Sequence, residues 1–182
     1  MARLPVINPS HDSVNEIFDG PLKGKHLNIF KGMANSPAVL KLYLSMSGAI
    51  DSFSLSPAER EIIQLAVGQA NGCDYCTAAH TAIGKGAGLT EQQTVEARQG
   101  RVSSDPKLNA LAIFATSMHE KKGFVSDDDL ASFKAAGYTD AHVAEVVGVY
   151  AMAVFTNYFN HVNETEIDFP AAPPLPPLPV HA

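Results

Sequence analysis

The 182-residue chain lacks any apolar run approaching the roughly 20 residues of a transmembrane helix, so no membrane-spanning role is expected. It has no surplus of basic residues: 13 Lys and Arg stand against 19 Asp and Glu, a formal net charge of −6. Non-specific binding to nucleic acid or to an anionic membrane needs a basic face, and the net charge argues against both. The opening stretch MARLPVINPSHDSVNE has no basic region followed by the apolar core of about 7–15 residues that marks a signal peptide, and a cytoplasmic protein is expected. Alternating runs of β-branched residues are scarce, so little or no sheet is expected. No tandem repeat, charge block or internal linker divides the chain, and its length suits one domain. The glycines at 84, 86 and 88 follow no strand, which argues against a nucleotide-binding loop. Cysteine is nearly absent: the two present, Cys73 and Cys76, fall in one stretch, ANGCDYCTAAH.

What is present is helical punctuation. Ser56-Pro57-Ala58-Glu59 reads as a capping box with proline at the first helical position. Apolar residues then follow at 62, 63, 66, 67 and 70, a helical period that Asn71-Gly72 should end. A second helix should start at or near Cys73 and reach the glycines at 84–88. Thr90 with Gln93, Asp105-Pro106, and Ser126 with Asp129 open three more, and a long last helix opens near Thr139. That last helix is apolar nearly all round between 146 and 155, which predicts a central position. Ahead of these, SVNEIFDGPLKG and HLNIFKGMAN hold short helices, and Ser36-Pro37 caps AVLKLYLSMSGAI. The expected fold is an all-α, single-domain helical bundle over 1–168. A Pro-rich extended tail follows over 169–182, either disordered or an arm lying in a groove of the body or of a neighbouring subunit.

Two thiols at C-x-x-C spacing in a reducing compartment point to catalysis or metal binding rather than to a structural staple. A cross-link between them closes almost no loop and stabilises little. Thiol chemistry runs through the thiolate, and a helix N-terminus favours that form. A break at Asn71-Gly72 puts both sulfurs in the first turn of the second helix. His80 lies one helical turn beyond Cys76 on the same face, where an imidazole can exchange the thiol proton. Glu61 reaches this group only if the two helices fold back on each other; otherwise it is a solvated charge. Zinc held by Cys73, Cys76 and His80 with Glu61 or a distant ligand is an alternative, although no second ligand pair stands at motif spacing. The pair could also be merely buried helix residues. His161, with Asn157 and Tyr158, could line a pocket, whereas His119 and His142 sit in charged stretches expected to be exposed. Met46, Met118 and Met152 read as core filler.

Glu61, then Cys73-Asp-Tyr-Cys76, then three residues to His80, resembles the alkylhydroperoxidase D-like branch of the carboxymuconolactone decarboxylase family, with core motif 56–90. SPAVLKLYLSMSGAI and NYFNHVNETEIDFP resemble a peroxidase-related subgroup of it. The resemblance implies an all-α fold and a homo-oligomer (trimer or hexamer); no cofactor and no metal are expected. It also implies thiol-dependent reduction of hydroperoxides. Cys76 would be the peroxidatic nucleophile, Cys73 the resolving cysteine, and His80 and Glu61 a proton relay. An external dithiol of thioredoxin or lipoyl type would be the reductant. Well-described members carry histidine before the second cysteine; here that position is Tyr75, a poor base that can still hydrogen-bond to a sulfur or a bound peroxide. The other reading is a redox sensor or binding protein whose disulfide state switches a partner surface without turnover.

Overall fold

A computed structural model describes residues 1–176 and contains nine helices and no strand among them. In chain order they are α1 (Asn15–Asp19), α2 (Asn28–Met33), α3 (Pro37–Ile50), α4 (Pro57–Ala70), α5 (Asp74–Gly86), α6 (Glu91–Arg98), α7 (Pro106–Glu120), α8 (Asp127–Ala135) and α9 (Asp140–Asn163). The N-termini fall where the local chemistry puts them. Complete capping boxes form at Ser56/Glu59, Thr90/Gln93 and Ser126/Asp129, and Asp105 accepts from the N–H groups of Lys107 and Leu108. A further capping box, Thr139/His142, opens α9. Ser36 occupies the N-cap of α3 but its side chain makes no capping hydrogen bond, so proline at the first position is the remaining start signal there.

Helix α4 is the axis of the molecule, with α5, α6, α7 and α9 packed around it. One apolar cluster joins α4 to α7, α8 and α9. In it Phe133 stacks between Phe114 and Tyr138, with ring centroids 4.4 and 4.3 Å apart. A second cluster is built from the N-terminal third (Phe18, Leu22, Phe30, Met33, Leu40) and closes over Cys73 and over Tyr75, Cys76 and Ala79 of α5. The cysteine pair therefore sits at the seam between the N-terminal helices and the α4–α5 hairpin.

Helix α9 is less central than its composition suggests. Val146, Val149, Met152 and Ala153 are fully packed, but Val147, Ala151, Tyr158 and Val162 face solvent. A stripe of α9 inward and a stripe outward are both apolar, so composition alone hides the two-sided placement. His119 and His142 are half-buried rather than exposed. The first pairs with the Tyr150 hydroxyl at 3.1 Å, and the second serves the α9 capping box.

Three carboxylates tie the helices together and set the response to acid. Burial pushes Glu59 up, but hydrogen bonds from Ser56, Lys107 and Tyr138 outweigh it and leave its acidity enhanced. Glu145 behaves alike: burial opposes, and the N–H groups of Ser54 and Leu55 prevail. Glu96 is lowered chiefly by the Ser103 hydroxyl, then by Gln92. Each group holds its proton less readily folded than unfolded. Its contribution is thus fully present above the unfolded glutamate value of about 4.3 and is lost as pH falls through the folded values. Thermal unfolding followed by circular dichroism is expected to show a level midpoint from neutral pH to about 5 and a fall below it, shallower in Glu96→Gln.

Candidate active site

The α4–α5 turn reverses the chain within three residues, 71–73. Gly72 takes φ +67, the left-handed region open to glycine. Its N–H donates to the Gln69 carbonyl, and the Cys73 N–H donates to the Gly68 carbonyl at 2.9 Å, together a Schellman closure of α4. Cys73 thereby ends one helix and caps the next: its sulfur accepts from the Cys76 N–H at 3.3 Å. The two sulfurs are joined as a disulfide. Helix α5 packs directly on α4 at Gly68, where an added Cβ would lie in van der Waals contact, 3.4 Å from the Cys76 Cβ. Asn71 Nδ2 donates to Asn157 Oδ1 at 2.8 Å and pins the turn to α9.

The fold-back brings Glu61 to His80. Glu61 Oε2 lies 2.7 Å from His80 Nδ1, and both side chains are largely shielded. A carboxylate only accepts, so Nδ1 carries a proton and Nε2 of the neutral ring is left with its lone pair. His80 and Cys76 line one cavity of about 60 Å³, walled also by Tyr43, Gln64, Met152, Thr156 and Asn160. That is room for a few water-sized groups. Burial, reinforced by the charges of Glu61 and Asp51, pushes the Tyr43 phenol up to about 12, so it faces the cavity as a neutral hydroxyl. Asn160 Nδ2 donates to Cys76 Sγ at 3.4 Å. A larger depression of about 540 Å³ shares Leu27, Phe30, Tyr43, Ile83 and Phe169 with this cavity.

Cys73 lines a different opening, about 430 Å³, with Gly72, Asp74, His161 and Glu164. Tyr75 and Asn160 border both spaces. His161 is therefore placed on the Cys73 side and away from His80. Tyr158 points to solvent, and Asn157 is fully buried in its contact with Asn71. The Tyr75 hydroxyl meets neither sulfur. It donates to Asp168 Oδ1 at 2.8 Å, and the same carboxylate accepts from the Asn28 N–H at 2.6 Å. Burial, then the Asp168 contact, raises the Tyr75 phenol further from ionisation. Beyond it Phe169 packs edge-on against Tyr75, and the carbonyls of Pro173 and Pro176 accept from Arg98 of α6 and from Gln99, which caps that helix. This extended stretch lies on the chain's own body; residues 177–182 of the Pro-rich tail lie outside the described residues.

Gln64, Asn160 and Tyr43 escaped the sequence reading. Gln64 follows Glu61 by three residues on one face of α4, a polar side chain inside the apolar run IIQLAV. Asn157, Asn160 and Asn163 recur every three residues on an otherwise apolar helix, and all three are buried. Met152, expected as filler, also lines the cavity. Among the described residues no cluster of three or more His, Cys, Asp or Glu is placed to hold a metal ion. The cysteines, joined as they are here, have no thiolate to offer one.

Helices surrounding a C-x-x-C disulfide at a helix N-terminus, with a carboxylate–imidazole pair across a small cavity, define an all-α protein with the alkylhydroperoxidase D-like fold. Residues 37–104 match the model of the carboxymuconolactone decarboxylase family. Among solved structures, a peroxidase-related protein from Ralstonia eutropha JMP134, described as having an alkylhydroperoxidase AhpD core, is similar with a TM-score of 0.80 and 21% identity over 92% of each chain. A peroxidase-related protein from Silicibacter sp. TM1040 gives a TM-score of 0.77 at 22% identity, over 90% of this chain and 89% of that one. The debrominase Bmp8, a cysteine-to-alanine variant bound to 2,3,4-tribromopyrrole, gives 0.75 at 16%, over 92% and 94%. Comparison with curated protein sequences finds no match.

Proposed function

We propose that the protein is a thiol-dependent peroxidase that cycles through the Cys73–Cys76 disulfide, and the observation that carries this is the cavity shared by Cys76 and the Glu61-bound His80. In the reduced protein His80 Nε2 takes the Cys76 proton. The thiolate attacks the terminal oxygen of a hydroperoxide, and an S–O bond forms as the O–O bond breaks. The alkoxide leaves with the electron pair and regains the proton from His80. The Cys73 thiol then attacks the sulfenic sulfur; the S–S bond forms and water leaves. An external dithiol of thioredoxin, lipoyl or small-thiol type attacks the disulfide, becomes oxidised in its turn, and restores both thiols. A homo-oligomer, expected for such a protein, would bury the apolar stripe that α9 shows to solvent.

Two observations bear on other readings. Tyr75, beside Cys76 in sequence, holds Asp168 and the segment after it, which suits a disulfide that switches a surface without turnover. A debrominase shares the fold, which suits a halogenated aromatic as the oxidant. One assay separates all three: dithiothreitol consumption by the protein with cumene hydroperoxide, with 2,3,4-tribromopyrrole, and with neither. Many turnovers with the hydroperoxide alone support the peroxidase. Turnover only with the bromopyrrole moves the protein to the dehalogenating class. A single equivalent consumed in every arm leaves a redox switch.

A further inference from the structure

Six buried side-chain nitrogen or oxygen atoms among the described residues have no hydrogen-bond partner within the chain. Two of them, Gln64 Oε1 and Asn160 Oδ1, belong to residues that line the Cys76–His80 cavity, and each of these residues is only 5% exposed. A buried amide oxygen without a donor costs stability, and such groups persist where something else makes use of them. The orientation of Asn160 follows from its neighbour. A disulfide sulfur has no proton to give, so the amide must turn its Nδ2 toward Cys76 Sγ, and Oδ1 is left as the acceptor. Gln64 stands on the same face of α4 as Glu61, so its amide enters from the helix that also orients His80.

Resting on the peroxidase reading, we propose that Asn160 and Gln64 form the site that receives the hydroxyl of the hydroperoxide. The terminal O–H is the one donor such a substrate owns, and Asn160 Oδ1 and Gln64 Oε1 are acceptors without donors. Asn160 acts on both reactants: its Nδ2 steadies the sulfur, and its Oδ1 holds the oxygen that sulfur attacks. The same oxygen carries its proton into the sulfenic acid, so the contact lasts through the step. The free volume of about 60 Å³ admits a peroxide group and little more, and any organic body must lie in the adjoining depression bordered by Phe169 and Ile83. The ligand class is thus a small donor head, O–H on an electrophilic oxygen, rather than a bulky or donor-free oxidant.

The test compares wild type, Gln64→Met and Asn160→Leu for steady-state peroxide turnover at saturating dithiothreitol, and for thermal unfolding of the oxidised proteins. Methionine keeps the length of glutamine without its acceptor. Gln64→Met is expected to raise KM for cumene hydroperoxide about tenfold while its unfolding midpoint holds or rises, because an unsatisfied buried group has been removed. Asn160→Leu, losing both contacts, is expected to lower kcat/KM about 100-fold. An unchanged KM in Gln64→Met, or a lowered midpoint with no change in KM, overturns the proposal and leaves the peroxidase reading standing. No turnover by wild type removes both.

Discussion

A Cys76→Ser protein is expected to lose hydroperoxide turnover by at least about 1,000-fold, the scale seen when the nucleophile itself is removed. Cys73→Ser is expected to fail differently: one rapid reaction with peroxide, then arrest with a single oxygen added to Cys76. The asymmetry follows from where the two residues open. Cys76 lines the cavity that holds His80, and its sulfur receives the Asn160 amide. Cys73 lines the other opening, beside His161 and Glu164. Cys76 also occupies the third position of α5, where its own N–H is among those no earlier turn can satisfy, and there it finds the Cys73 sulfur. What sets Cys76 apart is a side-chain amide donating to its sulfur and a cavity shared with an imidazole that a carboxylate orients. Intact-mass measurement of each single-cysteine protein after one equivalent of hydroperoxide reads the assignment directly. Oxygen appearing on Cys73 in Cys76→Ser, at a rate matching the other variant, would reverse the two roles.

The separate openings bear on the order of events. A reductant that enters beside His161 would attack the Cys73 sulfur and expel Cys76 as thiolate. That sulfur is then released where Asn160 and the start of α5 stabilise negative charge. The oxidant would meet the reduced Cys76 through one opening and the reductant the disulfide through the other, with Tyr75 and Asn160 bordering both.

Local chemistry made much of this legible in the sequence. Capping boxes at Ser56, Thr90 and Ser126 and the Asn71-Gly72 turn are satisfied within a few residues, so their signals need no tertiary context. The Glu61–His80 contact spans 19 residues and was readable only because the turn between the helices is so tight. Contacts closed by the fold at long range were not readable. Asn160 meets Cys76 across 84 residues, and Tyr75 meets Asp168 across 93. Nothing at position 75 announces that its hydroxyl serves a distant carboxylate rather than a sulfur. The half-exposure of α9 was hidden for a related reason: hydrophobicity reports that a face avoids water, and two faces of α9 do so while only one is covered within the chain.

His80→Ala is expected to lower kcat/KM for hydroperoxide about 100- to 1,000-fold, the worth of a positioned general base, and Glu61→Gln about 10- to 100-fold. In the proposed relay Glu61 acts through the ring rather than on the substrate. Its carboxylate keeps the proton on Nδ1 and so keeps Nε2 free to receive one. A glutamine at that position can present either its oxygen or its NH₂ group. When it presents the NH₂, the ring proton moves to Nε2 and the base is lost. Because the carboxylate matters only while the imidazole is there to be oriented, Glu61→Gln should add almost nothing in an His80→Ala background. That non-additivity is the decisive quantity, read from a double-mutant cycle on kcat/KM with thermal unfolding run beside it to confirm that all four proteins are folded. A double variant whose loss equals the product of the two single losses would mean that carboxylate and imidazole act independently. The 2.7 Å contact between them would then be only a structural link between α4 and α5, and the relay would have to be abandoned.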